Sequence, residues 1–572
     1  MSKGIKFSPR YVFYSLDERL QLIIIGAIVG IFGGLASVAL NRSLRYFSNI
    51  SHPMRHLWYA PLLPAIGAAL SAFFLRQVVR DLGAHSVPEV IYSISRKGGL
   101  LRLRTSFSRL VSGFLTIASG GSAGPEAPVV ISGASIGSNI GTMFNLRDRQ
   151  REVIVGCGAA AAIASIFNAP FAGIAFSLEV ILGEWTTINL VPIAIASVVG
   201  TEVSRILQGN QIPFHHRIFH SGTPDLVACI GLAVLTAFGS IMLIRLLKVT
   251  ESHSKKVTSV FWLRAALGGL IVGTIGLYLP QVLGEGYEVI RRVIGEQYSP
   301  GIAISGLAAL GKIVATSLTI GSGGSGGLFA PCLVIGSLTG LFYQSTIASV
   351  FPSITWAGES YFALLGMAGV LSSVLQAPLT GIFLVVEITG GYEFIVPVVL
   401  VSVISATISH YFEPFSVYHQ ELITRGELLR PRTDARVLAE LNVMELLEKD
   451  CMLVYPEMRL KEFVSIVQRS HRNYFPVVDS KSGDFLGMIH LDDVRPYLFN
   501  PGLHDTVIVG EIMNANVHTV SPDDELAEII TVFDREHSWS LPVVQDGKFL
   551  GLISKATLMD HYRKELIIQE EK

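Results

Sequence analysis

Long apolar runs recur along the chain at 21–40, 61–75, 153–166, 188–200, 226–244, 264–279, 302–320, 331–350, 360–375 and 393–409. Several approach the ~20 residues that a helix needs to cross the hydrocarbon core of a bilayer. Others are shorter and interrupted by Gly and Pro. A broken helix survives in lipid only where protein or water satisfies its freed backbone groups. The run at 21–40 exceeds the ~7–15 residues of a signal-peptide core, so it is expected to be a retained span. From 441 onward the pattern changes. Each of two stretches reads as helix, strand, turn, strand, helix, with Pro476-Val477-Val478 and Pro542-Val543-Val544 in the first strands. The pattern predicts an all-α polytopic membrane domain with broken and re-entrant helices, followed by a small tandem α/β domain.

Both parts are internally repeated. Residues 115–128 read LTIASGGSAGPEAP and residues 318–331 read LTIGSGGSGGLFAP, a shift of 203 that also sets Arg109 against Lys312. Residues 167–179, FNAPFAGIAFSLE, match 375–387, LQAPLTGIFLVVE, at a shift of 208, pairing Glu179 with Glu387. Two blocks in the same order imply two related halves, about 21–210 and 225–418. Transporter halves of this kind commonly have inverted topology and hold substrate between them near the midplane. In the tail, Val454, Pro476 and Gly487 correspond to Val520, Pro542 and Gly551. The expected organisation is a short N-terminal segment at 1–20, a membrane domain at 21–418, a linker at 419–441, and two modules at 442–500 and 508–566.

Composition agrees with this division. Hydrophobic residues make up 50% of the 572-residue chain and charged residues 16%. Of the charged side chains, 35 lie in the 132 residues from 441 onward and 54 in the preceding 440. A wholly soluble enzyme is therefore excluded. With net charge −1 and no basic domain, so is a nucleic-acid partner. Four scattered cysteines show no metal-ligand spacing and read as small packing residues.

The chemistry lies in the repeated loops. Glycines in SGGSAGPEAP and SGGSGGLFAP let successive N–H groups face one concavity, which attracts anions. Pro128 and Pro331 suit the first turn of a helix whose positive end points back at its loop. Two such ends meeting inside a bilayer would hold a dehydrated anion without a full opposing charge. Glu126, in the first loop, would compete with that anion when ionised and withdraw when protonated. Arg109 and Lys312 place one cation upstream of each loop. A third loop, Gly83-Ala84-His85-Ser86-Val87-Pro88-Glu89, likewise runs from small and polar residues into a proline and an apolar helix.

These motifs resemble, in order, those of the CLC family of chloride channels and chloride/proton antiporters with C-terminal tandem CBS domains. Ala84–Glu89 resembles G-S-G-I-P-E, Gly124-Pro125-Glu126-Ala127-Pro128 resembles G-R-E-G-P, and Gly327-Leu328-Phe329-Ala330-Pro331 resembles G-x-F-x-P. The resemblance implies a homodimer in the cell membrane with one anion pathway per subunit and both termini cytoplasmic. It implies Glu126 as the gate, and a chloride held by the backbone N–H groups of Leu328 and Phe329 and the Tyr418 hydroxyl. The remaining family ligand, a serine, is replaced by His85 with Ser86 beside it, which bears on anion selectivity.

The position where antiporters of the family carry an inner proton glutamate falls at Val180. That points to a passive chloride channel, with chloride/proton exchange as the alternative. No cofactor is required. CBS resemblance suggests an adenine nucleotide (ATP or AMP) between the modules, with Asp493 at one ribose position and Thr557 in its place at the other. A CBS-regulated cation channel would need carboxylate or carbonyl rings along its path, and the loops offer N–H groups instead.

Overall fold

The computed structural model describes residues 16–51, 59–80, 86–210, 214, 222–295, 297–298, 300–424, 441–498, 500–524 and 526–570. The chain divides into two compact units between Leu428 and Leu429.

The first unit is helical, and its helices fall into two matching series. The first comprises α1 (Glu18–Ser51), α2 (Leu62–Phe73), α3 (Ser86–Arg96), α4 (Thr105–Ala118), α5 (Glu126–Met143), α6 (Asp148–Phe167), α7 (Pro170–Phe176) and α8 (Thr187–Gln208). The second comprises α9 (Thr223–Val257), α10 (Phe261–Tyr278), α11 (Tyr287–Ile294), α12 (Ile302–Gly321), α13 (Phe329–Val350), α14 (Glu359–Leu375), α15 (Pro378–Thr389) and α16 (Ile395–Phe412), after which α17 (Val417–Thr424) closes the unit. Among the described residues eight helices are long and apolar enough to cross a membrane. Shorter apolar helices, α2, α7, α14 and α15, lie between them. Two of these pass into π-helical turns, α2 at Phe74–Val78 and α7 at Ser177–Leu182. An i→i+5 turn absorbs one extra residue in a helix. Accordingly, α7 with its π turn reaches Gly183 thirteen residues after Pro170, whereas α15 reaches Gly390 twelve after Pro378.

Small residues set the packing in both series. α5 crosses α6 at Gly133 and Gly158, and α13 crosses α14 at Gly336 and Gly366. A Cβ on any of the four would strike the backbone carbonyl of its partner, so the chains approach as closely as backbone allows. The two halves cap each other as well. The Glu179 carboxylate accepts from the N–H groups of Leu379 (3.2 Å) and Thr380 (2.8 Å) at the start of α15. The Glu387 carboxylate accepts from Phe171 (3.0 Å) and Ala172 (2.8 Å) at the start of α7. Contacts of the form i-to-j′ and j-to-i′ are the mark of a twofold relation. The repeat at 167–179 and 375–387 is therefore a structural one, and its glutamates are helix caps.

The linker expected from 419 begins later. Residues 419–424 continue α17, where Leu422 is fully buried, and residues 425–440 lie outside the described residues.

The second unit contains α18 (Leu460–Arg469), the hairpin β1 (Tyr474–Val478) and β2 (Phe485–His490), and α19 (Leu491–Leu498). After α20 (Val509–Ile512) the pattern repeats as α21 (Leu526–Arg535), β3 (Ser540–Gln545), β4 (Lys548–Ser554) and α22 (Lys555–Glu570). Both hairpins are antiparallel and carry the same bulge, between Val477 and Val478 and between Val543 and Val544. Val454 and Val520 add parallel bridges to Val477 and Val543. The modules exchange edges: Glu448 pairs with Leu552 of β4, and Asn514 pairs with Met488 of β2.

Candidate anion site

The two glycine loops meet. Gly124 and Gly327 form an antiparallel bridge, with Gly124 N–H to Gly327 O at 2.8 Å and the reverse bond at 2.7 Å. Their flanks are tied just as reciprocally. Ser122 N–H donates to the Thr319 hydroxyl (3.0 Å), and Ser325 N–H donates to the Thr116 hydroxyl (3.1 Å). The four residues correspond at the repeat shift of 203. α5 and α13 start directly after the loops, at Glu126 and Phe329. Their first N–H groups have no acceptor within their own helices, and both helix dipoles present positive ends at this junction.

Glu126, expected within the loop, is instead the first residue of α5 and is fully buried. Its carboxylate reaches across the junction to the first turn of α13, where Ala330 N–H lies 3.5 Å away. The other oxygen accepts from the Tyr287 hydroxyl. A side chain on Gly124 would overlap the carboxylate, so the residue at 124 must be glycine for Glu126 to hold this pose. Gly327 is confined in the same way, since a Cβ there would lie 2.9 Å from Ala127 N. Pro125, the residue between Gly124 and Glu126, precedes α5 with helical dihedrals.

Leu328 and Phe329 are both buried. The Phe329 ring packs on Phe176 edge-on (centroids 5.3 Å) and lies 6.4 Å from Phe167. Tyr418, on α17, is buried, and its hydroxyl has no hydrogen-bond partner among the described residues. It lies within electrostatic reach of Glu126 and of Cys332 in the first turn of α13. Such an orphaned hydroxyl costs free energy unless a guest accepts from it. Glu126, Leu328, Phe329 and Tyr418 thus come together. His85 lies outside the described residues, as do Gly83 and Ala84; Ser86 opens α3, but its side chain also falls outside them.

The two cations upstream of the loops are engaged elsewhere. Arg109 pairs with Glu89 (3.4 Å). Lys312 is fully buried and donates to the carbonyls of Val282 (3.0 Å) and Gly284 (2.8 Å). The site's unforeseen member is Tyr287. It carries no motif and lies 161 residues from Glu126, so nothing in the local pattern singles it out.

In the tail, Asp493 is exposed near the start of α19. Thr557 is not free: its hydroxyl donates to the Glu448 carboxylate, which also accepts from the Ser554 hydroxyl (2.6 Å) and Arg472 (2.6 Å). Arg472 reaches both oxygens of Asp450 as well, at 2.7 and 2.8 Å, and holds that carboxyl below its ordinary range.

Broken helices in two interlocked halves, with paired helix starts converging on a buried acid and an orphaned hydroxyl, define an anion-transporting membrane protein. Residues 66–410 match the model of the voltage gated chloride channel family, and residues 443–500 and 509–564 each match the CBS domain. The chain belongs to the voltage gated chloride channel (CLC) family, with tandem CBS domains at its C-terminus. A ClcB-like protein of Ralstonia nicotianae is 30% identical over 427 residues, covering 72% of this chain and 98% of the relative. The H(+)/Cl(-) exchange transporter ClcA of Salmonella newport is 26% identical over 403 residues, covering 67% of this chain and 84% of its own. A slow cyanobacterial Cl-/H+ antiporter has the same fold, with TM-score 0.64 and 22% identity, covering 72% of this chain and 99% of its own. A eukaryotic CLC transporter covers 96% of this chain and 99% of its own with TM-score 0.62 and 17% identity. The chain is therefore a multi-pass membrane protein of chloride transport.

Proposed function

We propose that the protein is a passive chloride pathway whose gate is Glu126, with no obligatory exchange of protons. The observation that carries the gate is the position of the Glu126 carboxylate, laid against the first turn of α13 where the arriving anion would rest. The anion's own ligands, in this proposal, are the N–H groups of Leu328 and Phe329 and the Tyr418 hydroxyl. An ionised Glu126 carboxylate fills the same place and blocks it. A proton removes its charge, the carboxyl withdraws, and chloride enters. His85, on the third loop, is proposed to tune selectivity among anions: a neutral imidazole donates one N–H and a protonated one adds charge.

The absence of coupling rests on Val180, which is buried, apolar and unable to carry a proton. Its neighbour Glu179 is committed to the start of α15. Proton-coupled exchange is the second reading, favoured by relatives such as ClcA that are named exchange transporters. One experiment separates the two. Purified full-length protein in liposomes is given a chloride gradient at zero potential while chloride and protons are followed together. Chloride flux without uphill proton movement is expected, and Glu126→Gln should keep that flux while losing its pH response. Protons driven uphill by the chloride gradient would establish exchange. A Glu126→Gln variant with the wild-type pH response would remove Glu126 from the gate.

A further inference from the structure

Tyr287 is the first residue of α11, a helix that begins from Gly286 with φ +84°. A side chain at 286 would be strained at that φ and would meet Val334 on α13 at 2.7 Å, so the tight entry requires glycine. The preceding loop is fixed from both halves of the molecule. Lys312 of α12 donates to Val282 O and Gly284 O, and Gly284 N–H donates to Gly120 O (3.0 Å) at the head of the first glycine loop. Burial of Lys312 thus has a product: the loop that delivers Tyr287 is held against the loop that delivers Glu126. The ring is seated as well, edge-on to Phe167 (6.3 Å) and beside Phe214 (6.0 Å). Its hydroxyl then has one direction to point, and among the described residues its hydrogen-bond partner is Glu126 alone.

The repeat gives this placement meaning. α11 is the third helix of its half, as α3 is of the other, so Tyr287 opens the helix that corresponds to the one opened by Ser86. The Tyr287 hydroxyl, at the start of that helix, is a donor placed at the position the Glu126 carboxylate occupies.

We propose that the Tyr287 hydroxyl is a switchable ligand of the transport site. It latches the Glu126 carboxylate over the anion position, and when that carboxylate withdraws it donates to the permeating anion instead. Withdrawal leaves both the hydroxyl and Ala330 N–H without an acceptor in a buried site, and a small anion is the acceptor with the right charge. Among the described residues, the titratable groups facing Glu126 are Glu285 before α11, Tyr287 at its start, Cys332 on α13 and Tyr418 on α17. Of these, Tyr287 is hydrogen-bonded to the carboxylate by its side chain. The inference rests on Glu126 as the gate, and the test keeps the two claims apart.

Chloride efflux is measured against pH for wild type, Tyr287→Phe, Glu126→Gln and the double variant, each full-length and in liposomes. Phenylalanine keeps the ring packing on Phe167 and Phe214. Thermal unfolding of each variant verifies the fold. Loss of one hydrogen bond to a charged group predicts about tenfold more flux at neutral pH in Tyr287→Phe, with the pH profile moved toward less acid conditions. In the Glu126→Gln background, Tyr287→Phe should give no further rise and should instead weaken half-saturation by chloride. A wild-type profile in Tyr287→Phe, beside a flattened one in Glu126→Gln, would overturn the latch and leave the gate standing. A wild-type pH response in Glu126→Gln would overturn the gate and the latch with it.

Discussion

Gly124 and Glu126 constrain each other across a single residue. The carboxylate folds back over the Gly124 Cα, a place that any Cβ would fill. Gly124→Ala should therefore expel the carboxylate from the first turn of α13 and mimic an opened gate. The expected outcome in the liposome assay is flux at neutral pH raised toward that of Glu126→Gln, with a flatter pH profile. Flux and profile matching wild type would show that the pose does not depend on the missing side chain. Glycines and prolines made this part of the site legible in the sequence, because they report what the backbone must do. Glu126 was legible because an acid in an anion-binding loop is an anomaly of charge. Tyr287 was not, since a tyrosine opening a short, partly charged helix is unremarkable until tertiary structure sets it against Glu126. The engagement of Arg109 with Glu89 and of Lys312 with backbone carbonyls was hidden for the same reason. Their register in the repeat was real, but a register does not give the direction of a side chain.

At the scale of elements, α7 and α15 depend on glutamates from opposite halves. Each carboxylate accepts two N–H bonds at the start of the other half's helix, and Glu179 also accepts from the Thr380 hydroxyl (2.8 Å). Charge-assisted bonds to a helix start contribute roughly 1–3 kcal/mol in a partly buried setting. Glu179→Gln and Glu387→Gln should each lower thermal stability in detergent by an amount of that order, because the backbone contacts are equivalent, with the larger loss at Glu179, which also accepts from Thr380. A large loss in one variant and none in the other would contradict the equivalence. The aligned pairs Ala169–Ala377, Pro170–Pro378 and Glu179–Glu387 announced these helices in the sequence. The π turn at Ser177–Leu182 went unannounced, for one added residue in an apolar helix leaves no compositional trace. In the tail, strand pairs and bulges follow the repeat closely. Nothing in the local pattern points to the bond between Thr557 and Glu448, 109 residues away.

For the whole molecule, the central fact is the meeting of two pseudo-equivalent loops. Four reciprocal contacts support it: the Gly124–Gly327 bonds in both directions, and the Ser122–Thr319 and Ser325–Thr116 bonds. They bring the starts of α5 and α13 to one place, within electrostatic reach of Tyr418, whose hydroxyl has no hydrogen-bond partner among the described residues. Chloride transport follows from that convergence; the passive mode is our proposal, drawn from the residues at 179 and 180. The most direct test is crystallographic. Crystals of Glu126→Gln protein grown in bromide should show an anomalous peak between the first turn of α13 and the Tyr418 hydroxyl. A bromide-free junction, or a peak at some other place in the membrane unit with this one empty, would contradict the account.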